Sequence, residues 1–334
     1  MSSGKVTSLD VAEAAGVSRS AVSRVFTPGA SVSEKTARKV RAAAADLGYR
    51  PNALARSLLT GRSRMIGLVV AYLDNHFYPR ALEQLSASLE KQGYHVLVFM
   101  ASHTEGNVDH VVREILDYQV DGLVLMSVSL TSDLAQLCRQ NDVPVVLFNR
   151  RLGDAGELAV VSDNQRGGQM AAQHFADIGL ERVGYIAGWH AASTQNDREA
   201  GFRVECAKLG LELVAVEDGE FNPDRAHAAT LKMFGRPDRP QGVFVANDYM
   251  AFTVMDALRG PLGLKVPDDV CVIGFDDVPT AAWRSYDLTT LRQNSQGMVD
   301  ETVALLMAAV QGQAVIAPVP LNVELVVRGS SSRI

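Results

Sequence analysis

From Met65 onward, short apolar runs alternate with amphipathic stretches, and that alternation leaves few folds open. The runs MIGLVVAY, YHVLVFM, DGLVLM, VPVVLFN, RVGYIAG, GVFVAND and DVCVIGFDD read as strands. Between them, 78–92, 105–118, 165–178, 197–208, 224–234, 248–260 and 295–311 carry the apolar spacing of helices. Strand–helix alternation predicts an α/β body of parallel sheets covered on both faces. The stretch exceeds one doubly wound unit, so two subdomains are expected, 65–162 with 292–320 and 163–291 with 321–330. They should meet near Val161-Ser162-Asp163, with the chain crossing back near Leu291. Ligands of such sheets bind beyond the carboxyl ends of the strands. Those ends carry Asp74 and Asn75, Asn149 and Arg150, Asn247 and Asp248, and Asp276 and Asp277. One such residue is an ordinary helix cap, but four polar strand ends point to a polar cleft.

The N-terminal segment has a different character. Residues 1–64 hold eleven Lys and Arg against four Asp and Glu, a net +7, whereas the whole chain is −6 and the remainder therefore −13. A basic head on an acidic body suits a polyanion meeting the head alone. Its apolar residues fall at helical spacing, which a solvated basic arm would not require. Leu9, Val11, Ala12 and Ala15 predict a first helix capped by Ser8 or Thr7. Gly16-Val17-Ser18 turns the chain, with Ser18 as the next N-cap. Val22, Val25 and Phe26 form the inner face of a second helix, leaving Arg19, Ser20, Ser23 and Arg24 outside, and Thr27-Pro28-Gly29 ends it. A third helix starts at Ser33, buries Ala37, Val40, Ala44 and Leu47, and closes at Gly48. Three short helices over 1–50, with a four-residue turn between the first two, make a helix-turn-helix head whose second helix would enter the major groove.

In that setting Arg19 and Arg24 could each fork onto a guanine edge, and Ser20 could bond a base. Thr7 and Ser31 suit phosphate contacts, which set register without reading sequence. Residues 51–64 form a hinge and linker: Leu54 and Leu58 share a helical face and Asn52 can cap it. Alone that helix is too short to be stable. It should order against a second copy and DNA, with Leu58 wedged between minor-groove base steps.

The strings DVAEAAGVSRSAVSRVF, VSEKTARKVRAAAADLGYRPNALARSL and TGRS resemble the lactose/galactose repressor family (LacI/GalR). The resemblance implies base reading by Arg19, Ser20 and Arg24, in the same helix as Ser18 and Ser23, and minor-groove contacts by Ala55 and Leu58. It continues through HFY at 76–78, FNRR at 148–151, SDN at 162–164, Arg198-Glu199-Ala200-Gly201-Phe202, AND at 246–248, GFDD at 274–277 and LTTLRQ at 288–293. The family's effector domain resembles periplasmic sugar-binding proteins, two subdomains around a cleft. By position, the implied effector contacts are Phe77 or Tyr78, Arg150, Arg198, Phe221, Asn247 and Asp276. The chain departs from the family at Thr27 and Asn149, where asparagine and aspartate are usual, and at His76 and Asn294, where proline is usual. Keeping two arginines while losing a carboxylate makes the site less acidic, which favours a sugar acid or other carboxylate and leaves neutral sugars open.

The expected protein is a homodimeric, cytoplasmic transcription repressor that binds double-stranded operator DNA and a small sugar or sugar-acid effector. No membrane contact, cofactor or metal is expected. No apolar run reaches the roughly 18 residues of a membrane helix, and Met1 to Asp10 lacks an apolar core for export. Cys138, Cys206 and Cys271 are too scattered for a disulfide framework or zinc site, as expected of reduced, buried thiols. An enzyme would need a phosphate loop, nucleophile elbow or metal spacing that the chain lacks. A periplasmic solute-binding protein would account for the body but leave the basic head without a role.

Overall fold

The computed structural model describes residues 6–27, 30–50, 62–101, 107–128, 131–153, 157–316 and 318–332. The chain divides into two compact units, Met1–Ser63 and Arg64–Ile334.

In the first unit, α1 (Ser8–Ala15), α2 (Arg19–Val25) and α3 (Glu34–Asp46) each begin at a side-chain cap. Thr7 and Asp10 form a reciprocal capping box, Ser18 Oγ accepts from Ala21 N, and Ser33 Oγ accepts from Thr36 N. The helices close on Val11, Ala12, Ala15, Val22, Val40, Ala43 and Ala44, with Phe26 and Tyr49 at 6.0 Å covering one side. Two details differ from the sequence reading. The third helix buries Val40, Ala43 and Ala44, while Ala37 is only partly buried and Leu47, at the C-cap, is exposed. The turn between α1 and α2 also has three residues, Gly16, Val17 and Ser18, rather than four.

The second unit runs β1 (Met65–Val70), α4 (Phe77–Lys91), β2 (His95–Met100), α5 (Asn107–Asp117), β3 (Gly122–Met126), α6 (Ser132–Gln140), β4 (Val145–Phe148) and β5 (Ala159–Val160). It continues with α7 (Asn164–Asp177), β6 (Arg182–Ala187), α8 (Ser193–Leu209), β7 (Glu212–Asp218), α9 (Pro223–Phe234), β8 (Gly242–Val245), α10 (Asp248–Arg259), β9 (Cys271–Asp276) and β10 (Thr289–Gln293), and ends with α11 (Ser295–Val310) and β11 (Val323–Val326). Two sheets result, ordered β2-β1-β3-β4-β5 and β11-β10-β9-β8-β6-β7. All pairings are parallel except β10 with β11. Strands β5, β7, β10 and β11 and helix α6 are not among the expected elements. Strands β5 and β11 are short and β10 is mostly polar, whereas β7, with Leu213 to Val216 at its centre, and α6, with Leu134, Leu137 and Cys138 on one face, carry apolar spacing of their own.

Within each lobe the side-chain alternation of strands supplies both faces. Ile66, Leu68 and Val70 meet Leu85, Leu89 and Leu306, while Val69, Leu123 and Leu125 turn to Val112, Ile115 and Leu134. The second lobe stacks Tyr185, Phe202 and Phe244 at 5.2 and 5.3 Å. All three cysteines are buried thiols outside any disulfide. The chain crosses between the lobes at 161–163, again just after Gln293, and a third time near Leu321, where Leu321 N donates to Val161 O at 2.9 Å and Asp163 N to Leu321 O at 2.7 Å.

Helices α7 and α8 cross with their backbones in contact. A Cβ on Gly201 would lie 2.0 Å from Gln165 O, and one on Gly168 2.1 Å from Arg198 O. Neither backbone atom can rotate away, so Gly201→Ala must separate the helices. A loss of about 1–3 kcal/mol is expected, read as a lower urea midpoint. An unchanged midpoint would mean the crossing relaxes freely.

Candidate functional site

Two surfaces concentrate the expected functional residues. On the head, Val22 points inward, which turns Arg19, Ser20, Ser23 and Arg24 outward together, all exposed. Arg19 Nε donates to Ser8 Oγ at 3.1 Å, and the Ser18 and Ser20 hydroxyls lie 2.9 Å apart. Ser31 is exposed. Thr7 is exposed too, and its hydroxyl donates to Asp10 Oδ2 at 2.8 Å. Thr27 Oγ1 donates back to Ser23 O at 2.8 Å. Asn52, Ala55 and Leu58 lie outside the described residues.

On the body, the carboxyl ends of strands from both sheets face one another across a narrow cleft. Tyr72, Asn75, Tyr78, Asn149 and Arg150 come from the first lobe; Thr194, Arg198, Phe221, Asn247 and Asp276 come from the second. The free space between them is about 10 Å³, room for one water at most, so the lobes stand close together here. At the rim, Arg151 N donates to Ser193 Oγ at 2.9 Å, and Arg151 pairs with Asp197 at 3.7 Å.

Arg198, 2% exposed, is held on every side. Its Nε donates to Asn164 Oδ1 at 2.8 Å and its Nη1 to Ala246 O at 2.5 Å, with the guanidinium 3.6 Å from the Phe275 ring centroid and Nη2 3.9 Å from Asp276 Oδ1. Asp276 joins the lobes. Its Oδ2 accepts from Asn75 Nδ2 at 3.0 Å and its Oδ1 from Gln293 Nε2 at 2.7 Å, and Ser162 Oγ donates to Gln293 Oε1 at 2.7 Å. Burial raises its pKa against the lowering effect of Arg198. The cleft therefore connects by hydrogen bonds to two of the crossing segments.

Backbone strain gathers at the same strand ends. Asn149 (φ 58°), Phe221 (φ 54°) and Asp276 (φ 127°) all have positive φ; Asn149 lies in the left-handed well that asparagine tolerates, whereas the bulky Phe221 in that well and Asp276 beyond it are strained. Phe221 reaches its position because Gly188 has no side chain; a Cβ there would lie 2.2 Å from the ring. Asn247 is divided between two tasks, since its Oδ1 caps α10 by accepting from Met250 N at 3.0 Å while the residue lines the cleft.

Several candidates turn elsewhere. Phe77 packs on Phe148 in the core at 6.2 Å; one helical step, about 100°, separates it from Tyr78 in the cleft. Asp74 is exposed. Asp277 bonds Arg292 and Arg328 at 2.6 and 2.7 Å. Asp248 is buried beneath the cleft, accepting from Thr290 Oγ1 at 2.6 Å and Val278 N at 3.0 Å. Conversely, Tyr72 and Thr194 enter the cleft unannounced, each an ordinary residue beside a strand end or helix start. Among the described residues no His, Cys, Asp and Glu cluster could hold a metal, and no helix is long and apolar enough to cross a membrane.

Comparison with known proteins agrees with this division. Residues 7–52 match the family model for bacterial regulatory proteins of the lacI family, and residues 172–331 match that for a periplasmic binding protein-like domain. The HTH-type transcriptional repressor PurR of Photobacterium profundum is 33% identical over 330 residues, 96% of this chain and 97% of the relative. The ribose operon repressor of Escherichia coli is 31% identical over 302 residues, 89% of this chain and 91% of its own. Among solved structures, the lac repressor dimer bound to operator and the anti-inducer ONPF superposes with a TM-score of 0.89 at 28% identity, covering 98% of this chain and 99% of that one. The transcriptional regulator CelR in complex with cellobiose gives 0.74 at 29% identity, covering 98% and 100%. The chain thus belongs to the lacI family of bacterial regulatory proteins and is a DNA-binding transcription repressor with a periplasmic-binding-protein-like body.

Proposed function

We infer that this repressor acts in the cytoplasm as a homodimer, holding a pseudo-palindromic operator until a small polar effector of sugar or sugar-acid kind in the cleft alters its grip. One observation carries the effector reading: a cleft between two lobes, lined by buried polar groups from four strand ends and bonded to the crossing segments. Closure or opening of such lobes is a hinge motion, and linkage makes DNA and effector change each other's affinity by one factor, typically about 1–3 kcal/mol. In this reading Tyr78, Arg150, Arg198, Phe221, Asn247 and Asp276 serve the effector, and residues 51–64 relay its occupancy to the head. Pairing through the body is supported by the edge strand β2, which leaves Val98 and Met100 about half exposed.

For the head, α2 is read as the major-groove helix, with Arg19, Ser20 and Arg24 at base edges and Thr7, Ser18, Ser23 and Ser31 at the backbone or groove wall. Fluorescence anisotropy with an operator duplex and its single-base variants tests this. Arg19→Ala and Arg24→Ala should each lose about 1–3 kcal/mol of discrimination at one base pair. Equal weakening on every duplex would make them phosphate contacts instead.

A further inference from the structure

The two cleft arginines differ in a way that bears on the ligand. Arg198 already has an amide oxygen, a carbonyl, an aromatic face and a carboxylate around it. Arg150 is equally buried, 2% exposed, yet only its Nη2 is bonded, to Ser127 Oγ at 2.9 Å. Its Nε and Nη1 have no partner, and among the described residues no carboxylate forms an ion pair with it. The carboxylate that lines the cleft with it, Asp276, is occupied by Asn75, Gln293 and Arg198. Trp189 lies over the guanidinium at 5.6 Å. Beside it, Asn149 donates through Nδ2 to Tyr78 Oη at 3.2 Å while its Oδ1 is buried without a donor.

A buried charge with two free donors is costly to keep unless something arrives to pair with it. We propose, resting on the reading of the cleft as the effector site, that the effector carries an oxyanion, a carboxylate or a phosphate ester, bound by Arg150 rather than Arg198. An adjacent hydroxyl of the effector donates to Asn149 Oδ1. The effector is then a hydroxylated acid, and Arg198 positions Asp276 and α8 without meeting the anion.

Thermal melting and calorimetry of the full chain with matched probes at equal ionic strength test this: D-gluconate against D-glucitol, D-galacturonate against D-galactose, and D-ribose 5-phosphate against D-ribose. At least one acid should bind about 30-fold or more tightly than its neutral counterpart, the lower end of what leaving a buried charge unpaired costs; which pair responds separates carboxylate from phosphate. Arg150→Gln should abolish that preference and melt above the parent without ligand, Arg150→Lys should retain it, and Phe221→Ala should weaken both members of a pair alike. The proposal is overturned if every acid does no better than its neutral counterpart, or if Arg150→Gln binds the acid as the parent does. In those cases a neutral probe still weakened by Phe221→Ala leaves the cleft reading standing, whereas a bound probe that neither Arg150→Gln nor Phe221→Ala affects removes it.

Discussion

Arg198→Ala is expected to destabilise the body by about 3–5 kcal/mol, the cost of removing one partner from a buried, fully bonded charge. The side chain's removal strands three groups at once. Asn164 Oδ1 and Ala246 O lose their donor, and Asp276 loses the cation that opposes its burial. It also empties the space against Phe275, whose ring lies 3.6 Å from the guanidinium carbon. Urea unfolding followed by tryptophan emission reads this directly, because both tryptophans, Trp189 and Trp283, belong to the body. A midpoint within experimental error of the parent would contradict the structural role given to Arg198. The same reasoning changes how the variant should be used. Loss of effector response in Arg198→Ala would report a weakened lobe as much as a lost contact. Thr194→Val is the cleaner probe of the cleft, since Thr194 lines it with no hydrogen-bond network depending on its side chain among the described residues.

The second large effect concerns pH. Asp248 is fully buried, and burial first, then the charge of Asp276, push its carboxyl up to about 8 from 3.8. In the unfolded chain the proton leaves near pH 4; in the folded chain it stays until about pH 8. Between those values the folded state binds more protons than the unfolded one, so stability falls as pH rises through that window and levels off above it. The slope can reach about 1.4 kcal/mol per pH unit for one group. Asp276 is shifted in the same direction, so its contribution has the same sign, and the two titrate as a pair. Asp248→Asn can keep both bonds, its oxygen accepting from Val278 N and its amide donating to Thr290 Oγ1. The variant should therefore gain on the parent as pH rises, shown by urea midpoints at pH 5, 6.5 and 8. Parallel profiles for the two chains would mean that Asp248 is ionised in the folded protein throughout.

Much of this molecule follows from local rules. Ser18 and Ser33 are legible as caps, and the first cap narrows to Ser8 or Thr7, because a hydroxyl immediately before a helical run has one obvious use, accepting from a backbone N–H in the first turn. The outward set Arg19, Ser20, Ser23 and Arg24 follows from Val22 pointing inward, since helix period leaves no choice once one face is buried. The central strands are legible for the same reason: β1, β3 and β8 are apolar throughout, and β6 and β9 are apolar but for Arg182 and Asp276 at their ends, because both faces are covered.

The site divides differently. Polar strand ends announce a cleft, but not which of their residues face it. Asp276 and Asp277 are neighbours, yet one joins the lobes through Asn75 while the other pairs with Arg292 and Arg328. Tyr78 enters the cleft and Phe77 enters the core. A single step along the chain turns a side chain by about 100° in a helix and 180° in a strand, so adjacent residues of like chemistry part company only when the backbone is placed. The contrast between the arginines is less local still. Arg198 is satisfied by Asn164 and Ala246, 34 and 48 residues away, while among the described residues Arg150 hydrogen-bonds only to Ser127, with Trp189 over its guanidinium. Which buried charge is bonded and which awaits a partner depends on contacts made across the fold. No spacing within the sequence encodes those contacts.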